Sequence, residues 1–249
     1  MFFIAGFIGR VMHFFSGFIC YVALIAGLSG IQSCQSDTGT FRWVEQDGKQ
    51  SLTLKKESVG YLEPCFIEGI SSSDQITQIE NGVYRITRIC TNRSTLPIDS
   101  VRLTLDFIHA DSASFLMIPA VSYNGNYWGR GKEPKGYSKD GEWWSFSYNR
   151  TAIPGATYSE GKNWAVAMWG EIDSDGTSFS CSLMPEQNET THRLIWPEEE
   201  MPLCYVARDK YNPGFRKKMK MDPGESLTVD ATLVVTPLLP HHQATKVFL

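Results

Sequence analysis

The stretch that most constrains the fold lies near the C-terminal end of the chain, where SLTVDATLVVTPL begins at Ser226. Apolar side chains occupy every second position, so an extended chain would carry them all on one side. An α-helix repeats every 3.6 residues and would scatter the same side chains around its surface. The pattern therefore predicts a long strand with one buried face, formed by Leu227, Val229, Ala231, Leu233 and Val235.

A second stretch of the same kind runs from residue 101 to residue 108, with Val101, Leu103, Leu105 and Phe107 on its apolar face. Shorter β-rich runs are separated by turn signals such as Asp47-Gly48, Pro154-Gly155 and Pro223-Gly224. No helical period follows residue 34. The patterns predict an all-β fold, a large antiparallel β-sandwich of the supersandwich type after an N-terminal signal segment. Further strands are predicted over residues 41–45, 51–59, 82–92, 115–121, 143–148, 163–169, 178–184, 191–196 and 202–206.

The first 34 residues have the composition of an export signal. Arg10 and His13 precede an almost uncharged apolar run from Phe14 to Ile31. The run ends in Ile31-Gln32-Ser33-Cys34, which resembles a bacterial lipoprotein processing site and predicts lipidation of Cys34. An uncleaved membrane anchor is the alternative. We therefore predict a signal peptide over 1–34, a β-sandwich domain over 35–249, and export to the outer membrane, on its periplasmic or cell-surface side, through a lipid anchor.

Charge and cysteine content narrow the choice of partner. The chain carries 23 basic and 27 acidic residues, with a formal net charge of −4, which argues against a nucleic-acid partner. The basic run from Arg216 to Lys220 is predicted to be a solvated strand edge rather than a binding patch. No CxxC spacing or histidine cluster indicates a metal site, and no cofactor is predicted. After export, four cysteines remain that either pair in one of three ways or stay as buried thiols: Cys65, Cys90, Cys181 and Cys204.

A long aromatic region from Ser122 to Glu160 is the candidate functional stretch. Tyrosine and tryptophan residues alternate there with glycines, asparagines and charges of both signs. Flat rings stack on sugar faces, while planar polar groups match sugar hydroxyl and carboxylate groups. The alternative is that these rings cover the edge of a β-core. The predicted carbohydrate-binding residues are Tyr123, Asn124, Asn126, Trp128, Arg130, Glu133, Lys135, Trp143, Trp144, Arg150 and Glu160.

Catalytic motifs are absent from the sequence. There is no GxSxG and no HExxH, and His109, His192, His241 and His242 are scattered or near the C-terminus. Carboxylates within the aromatic region are the remaining candidates for an acid and base pair, but the sequence fixes no separation between them. No catalytic residue is assigned. Those carboxylates are Glu133, Asp140, Glu142 and Glu160.

Three stretches carry a family resemblance: FLMIPAVSYNGNYWGRGKEPKGY, WWSFSYNRTAIPGATYSEG and ESLTVDATLVVTP. They resemble the N-terminal β-sandwich domain of exported Bacteroides-type glycoside hydrolases, whose catalytic part is an (α/α)-barrel of the six-hairpin class. The resemblance covers residues 40 to 240. It implies a sandwich that packs against a helical barrel and contributes loops to a glycan-binding cleft.

The chain departs from that family pattern because it stops at HHQATKVFL, where the barrel would begin. The resemblance places the family's catalytic acid and base on the barrel, so we expect this chain alone to hydrolyse no glycoside. Three hypotheses follow: the accessory domain of a hydrolase whose barrel is encoded separately or lost, a free-standing glycan-binding lipoprotein, and a structural or interaction module. The sequence favours the first.

Overall fold

Nearly all of the regular structure in the chain is β-strand. The computed structural model describes residues 40–124, 137–139, 142–171, 178–201, 206–207, 210–211 and 214–247. The strands are β1 (Arg42–Gln46), β2 (Lys49–Leu54), β3 (Glu57–Glu63), β4 (Ile70–Glu80), β5 (Val83–Asn92), β6 (Leu103–His109), β7 (Phe115–Ile118), β8 (Ser122–Tyr123), β9 (Ser138–Lys139), β10 (Glu142–Trp143), β11 (Phe146–Ser147), β12 (Thr157–Glu160), β13 (Trp164–Gly170), β14 (Ser180–Pro185), β15 (Thr190–Trp196), β16 (Glu199–Glu200), β17 (Val206–Ala207), β18 (Lys210–Tyr211), β19 (Phe215–Arg216) and β20 (Ser226–Pro237). Two 3-10 segments, Tyr148–Arg150 and Pro240–Val247, complete the secondary structure of the residues described.

Two seven-stranded sheets form the sandwich. The first sheet has the order β1-β2-β3-β6-β15-β14-β11, and the second has the order β4-β5-β20-β13-β12-β7-β8. All pairings within both sheets are antiparallel. Three two-stranded ribbons, β9–β10, β16–β19 and β17–β18, lie outside the sheets. The edge strands β8 and β11 are joined by the aromatic region, which therefore connects the two sheets at one edge of the sandwich.

The core lies between the two sheets, as the alternating sequence patterns predicted. Leu105 and Phe107 of β6 and Ala231 and Leu233 of β20 are fully buried in one hydrophobic cluster. Their burial follows from the two-residue period, which turns every second side chain of each sheet toward the other sheet. The all-β antiparallel sandwich is therefore confirmed.

The predicted turns have the backbone conformations that their residues favour. Asp47 and Gly48 both have positive φ, 51° and 73°, and connect β1 to β2 as a two-residue hairpin. The Ala156 amide donates to the Ile153 carbonyl at 3.0 Å across a turn whose third residue, Gly155, has φ 62°. A glycine at that position supplies the positive φ of a type II turn without steric cost.

Several predicted strands have different limits. The run over 51–59 is two strands, because Lys55 and Lys56 adopt positive φ of 50° and 75° and form a tight turn between β2 and β3. The run over 115–121 ends as a strand at Ile118, since Ala120 turns with φ 66° before β8 begins. Eleven-residue β4 was not predicted at all, because serine, aspartate and glutamine fill much of this exposed edge strand.

The predicted strand over 143–148 is also divided. Its backbone has three successive partners within a few residues: Trp143 pairs with Ser138, Ser145 with Met201, and Phe146 with Cys181. No one partner strand continues along the whole stretch, so no continuous ladder forms. The 3-10 segment Tyr148–Arg150 then begins, and β10 and β11 remain two residues long.

The chain after β20 folds back onto the outer face of the second sheet. Ala244 is fully buried there against Tyr158, Ala165 and Ala167. Within the described residues, no helix has the length and hydropathy that a bilayer crossing requires. The signal segment, Cys34 and Cys204 lie outside the described residues, as do most of the residues of the predicted strand over 202–206.

Candidate functional site

The structure describes about half of the predicted binding residues. Tyr123 is placed through its backbone in β8, and the side chains of Asn124, Trp143, Trp144, Arg150 and Glu160 are described. The remaining predicted residues lie outside the described ranges: Asn126, Trp128, Arg130, Glu133 and Lys135.

Leu116 of β7 holds both flanks of the segment between residues 124 and 137. The Asn124 amide donates to the Leu116 carbonyl at 2.7 Å, and the Asn124 side-chain oxygen accepts from the Leu116 amide at 3.1 Å. On the other flank, the Tyr137 hydroxyl donates to the same carbonyl at 3.0 Å. The Trp144 amide in turn donates to the Tyr137 carbonyl at 3.0 Å. The aromatic region is therefore anchored to the second sheet before it reaches the first.

Two adjacent tryptophans in this region have opposite environments. Trp144 is fully buried and packs edge-to-face on Phe146, with ring centroids 6.1 Å apart. Trp143 is 36% exposed, and it is the exposed member among the tryptophans that the structure describes. Trp144 therefore anchors the segment in the core, while Trp143 presents an indole ring to solvent.

Arg150 forms a bidentate ion pair with Glu200 of β16. Its Nη2 lies 2.7 Å from Oε1, and its Nε lies 3.2 Å from both carboxylate oxygens. The Arg150 side chain is 35% exposed, whereas that of Glu200 is 5% exposed. The guanidinium is therefore the solvent-facing partner of the pair, held in a fixed plane by a buried carboxylate.

Glu200 ends a run of three consecutive buried glutamates that the sequence analysis missed. Glu199 accepts from Arg102 at 2.8 and 2.9 Å and from Arg216 Nε at 2.8 Å. Glu198 accepts from the Ser147 hydroxyl and lies 2.5 Å from Lys217 Nζ. Arg216 and Lys217 belong to the basic run that was predicted to be a solvated strand edge. They instead neutralise buried carboxylates. The sequence contains the arginines and lysines that pair with this run, but they lie far from it along the chain, so no local pattern connects them with the glutamates.

The pKa shifts in this run have opposing causes. Burial by itself would raise the pKa of Glu199, but the hydrogen bonds and charges of Arg102 and Arg216 outweigh it, and the pKa is lowered. Burial likewise opposes ionisation of Glu198, while the bonds from Lys217 and Ser147 outweigh it and lower its pKa. Both carboxylates are therefore anionic at neutral pH, as structural counter-ions to their cationic partners.

Phe215 is a second exposed ring, on the strand that pairs with Glu200. It lies directly opposite Glu200 in the β16–β19 ribbon and is 42% exposed. Directly opposed residues of a ladder project to the same face, so the phenyl ring neighbours the Glu200 side chain. Gly214, with φ 84°, permits this approach because a Cβ there would lie 1.9 Å from the Glu200 carbonyl oxygen.

We refer to the four residues Trp143, Arg150, Glu200 and Phe215 together as the rim. Its parts are connected through the backbone, since Met201 follows Glu200 and pairs with Ser145, two residues after Trp143. Exposed aromatic rings with a fixed, planar charged pair are suited to a ligand that has apolar faces and polar edges.

Glu160 has a different role in the structure. It lies on β12, two strands in from the edge strand β8, and is 3% exposed. Its carboxylate accepts from the Tyr158 hydroxyl at 2.5 Å and lies 2.5 Å from Nδ1 of His242, which stacks at 4.2 Å on Phe115. The carboxylate thus fastens the C-terminal segment to the outer face of the second sheet, and the structure does not bring it to the rim.

No family model matches the chain, and no curated protein matches it. Solved structures similar to it include a candidate aldose 1-epimerase from Escherichia coli K12, with 11% identity, a TM-score of 0.36, and coverage of 80% of this chain and 69% of that one. The GH36 α-galactosidase AgaA from Geobacillus stearothermophilus has 14% identity, a TM-score of 0.36, and coverage of 81% and 26%. A galactose mutarotase-like protein from Clostridium acetobutylicum has 7% identity, a TM-score of 0.29, and coverage of 80% and 67%.

Proposed function

We propose that this β-sandwich binds a glycan at the rim. The observation that carries the proposal is the pair Trp143 and Trp144, in which one indole is exposed while its neighbour is fixed in the core. Trp143 is 36% exposed, so it forgoes only part of the stabilisation, of the order of 2 kcal/mol, that full burial of an indole would give. A ring held outward on an anchored segment can stack on a sugar face with little loss of conformational entropy.

The charged members of the rim support the same ligand class. The Arg150 guanidinium is fixed by Glu200 and faces solvent, so it is oriented to donate to hydroxyl or carboxylate oxygens of a sugar. Phe215 adds a second ring beside this pair. Several sugar units of a polymer can thus be contacted by separate parts of the rim.

The predicted residues of the aromatic region extend the proposed site. The segment that contains Trp128 and Arg130 begins and ends next to residues anchored on Leu116, and Tyr137 at its far end is bonded to Trp144, the neighbour of Trp143. We propose that Tyr123, Asn126, Trp128, Arg130, Glu133 and Lys135 contact the glycan together with the rim.

The proposed biological setting follows from the sequence resemblance. The domain serves as the non-catalytic, carbohydrate-associated part of a glycoside hydrolase system, attached to the outer membrane through Cys34. Its catalytic partner is an (α/α)-barrel domain. The resemblance is carried in part by IPGATYSE, which forms the Gly155 turn and β12 beside the edge of the sandwich.

Affinity electrophoresis in gels that contain single polysaccharides tests the proposal. We expect at least one polymer to retard the chain, and we expect Trp143→Ala and Phe215→Ala each to weaken retardation by about fivefold to tenfold, the loss of one aromatic platform. The matched control is Phe66→Ala, because Phe66 is 80% exposed but is not part of the rim. Equal migration of all four proteins on every polymer would rule out glycan binding at the rim.

A further inference from the structure

Two cysteines that are distant in sequence meet in the core. Cys65 follows β3 of the first sheet, and Cys90 lies in β5 of the second sheet. They are 7% and 0% exposed, belong to the same hydrophobic cluster, and are close enough for one thiol to hydrogen-bond the other. Cys181 is also buried as a free thiol, in β14, and the structure gives it no cysteine partner among the described residues.

The surroundings of the pair favour a thiolate on Cys65. The hydrogen bond from Cys90 lowers the pKa of the Cys65 thiol, burial opposes this, and the Thr104 amide and the Arg88 charge lower the pKa further. For Cys181, burial raises the pKa to about 12, which suppresses thiolate formation. Among the cysteines that the structure describes, Cys65 is thus activated beside Cys90, and Cys181 is inert.

We propose that Cys65 and Cys90 form a disulfide that joins the two sheets when the chain is in an oxidising compartment. The oxidant is a small or protein disulfide, such as oxidised glutathione. The Cys65 thiolate attacks one sulfur of that disulfide and releases the first thiolate, and the Cys90 thiolate then attacks the Cys65 sulfur and releases the second. Two cysteine thiols are oxidised, one disulfide is reduced to two thiols, and the two thiol protons end on the released thiolates.

The position of the pair gives the bond a structural effect. It closes the part of the chain that contains β4, an exposed edge strand, and it connects the end of β3 to β5. A cross-link stabilises chiefly by restricting the unfolded chain, so the bond holds the sheets together without requiring new contacts. Cys65 lies next to the protein surface in the chain, since the following residue, Phe66, is 80% exposed.

Peptide mapping of the full chain tests this inference. The protein is incubated with oxidised and reduced glutathione at the ratio of an oxidising compartment, denatured, alkylated with iodoacetamide without reductant, and digested. We expect the Cys65 and Cys90 peptides to be joined, and lighter than their separate sum by two hydrogen atoms, while Cys181 is alkylated. Alkylation of both Cys65 and Cys90, or a bond from either one to Cys204, would overturn the proposal.

Two variants make the test independent of folding defects. Cys90→Ser should leave Cys65 joined to no other cysteine of the chain, so that it is recovered either alkylated or carrying glutathione, the product of the first step, whereas Cys181→Ser should retain the joined peptides. For the oxidised native chain, a reductant should lower the midpoint of thermal unfolding, and the shift should be smaller in Cys90→Ser, which cannot close the loop. A reductant-dependent shift of the same size in Cys90→Ser would contradict the assignment of the bond to this pair.

Discussion

At the scale of single residues, the most unusual group is a buried polar chain between the sheets. His109 of β6 and His192 of β15 are both fully buried, and Ser159 of β12 lies between them. The Ser159 hydroxyl is 2.9 Å from His109 Nδ1 and 2.7 Å from His192 Nε2. Thr157 contacts the other nitrogen of His192 at 2.9 Å. These bonds join the first sheet to the second.

These histidines predict a loss of stability in acid. Burial lowers the pKa of His109 to about 4 and lowers that of His192 well below 6.5. Below pH 6.5 the unfolded chain binds protons that the folded chain excludes, so the free energy of unfolding decreases as pH falls toward 4. For His109 alone the loss amounts to about 3 kcal/mol, measurable by urea denaturation at a series of pH values.

The test measures how steeply the free energy of unfolding changes with pH between pH 6.5 and pH 4.5. His109→Gln should reduce this slope, because the variant has no imidazole to protonate at that position. His241→Gln is the control, since His241 is exposed. A native free energy of unfolding that is constant across this range would show that the histidines are not held neutral.

Lys56 provides a second prediction at this scale. It occupies the second position of the β2–β3 turn with φ 75°, a left-handed conformation that glycine adopts without steric cost. Lys56→Gly should therefore raise the free energy of unfolding by about 1 kcal/mol. Lys218→Gly, at an exposed position outside the turns, should not raise it. Destabilisation by Lys56→Gly in urea denaturation would contradict the turn assignment.

At the scale of secondary-structure elements, Arg88 connects four strands. Its side chain is fully buried on β5 and donates at 2.7 Å to both oxygens of Asp74 on β4. It also donates to the Thr104 carbonyl of β6 at 2.7 Å and to the Glu63 carbonyl of β3 at 2.8 Å. One guanidinium thus donates to four oxygens of three residues from both sheets.

Removing the Arg88 side chain should lower the free energy of unfolding. Arg88→Met leaves the Asp74 carboxylate and two carbonyls without their donor, and we expect a loss of about 3 to 5 kcal/mol in chemical denaturation. Arg85→Met is the matched control on the same strand, because its ion pair with Glu171 is exposed on both sides and should contribute less than about 1 kcal/mol. Equal losses for both variants would refute the bridging role of Arg88.

The element scale also shows where sequence patterns succeed. Strands such as β6 and β20 were predictable because an apolar side chain at every second position is a local signal. The edge strand β4 lacks that signal, since it is largely polar and exposed. The division of 143–148 depends on pairing with residues 138, 201 and 181, so no local pattern reports it.

At the scale of the whole molecule, the same distinction applies to the candidate site. Trp143 and Arg150 were predicted from composition within one region. Glu200 and Phe215 were not, because they reach the rim through the β16–β19 ribbon, far along the chain from the aromatic region. Trp144 was predicted as a binding residue, but the structure buries it fully in the core, and composition cannot distinguish a buried tryptophan from an exposed one.

Attachment of the molecule to a membrane is predicted through Cys34. In a bacterial host that processes lipoproteins, the native chain should incorporate labelled palmitate and partition with membranes. Cys34→Ala should abolish both. Cys65→Ala is the control for loss of a cysteine as such, since Cys65 lies in the core. Acyl labelling and membrane association that persist in Cys34→Ala would contradict lipidation at this residue.

Glycan binding at the rim is the central claim, and the indole N–H resonances of the chain test it most directly. The chain is titrated with oligosaccharides cut from the polymer that retards it most, and the Trp143 signal is assigned with Trp143→Phe. We predict saturable shifts of the Trp143 signal and of the Trp128 signal, with the signals of buried Trp144 and Trp196 unchanged. A Trp143 signal that stays fixed while an oligosaccharide binds, or no binding by any oligosaccharide, would contradict the claim.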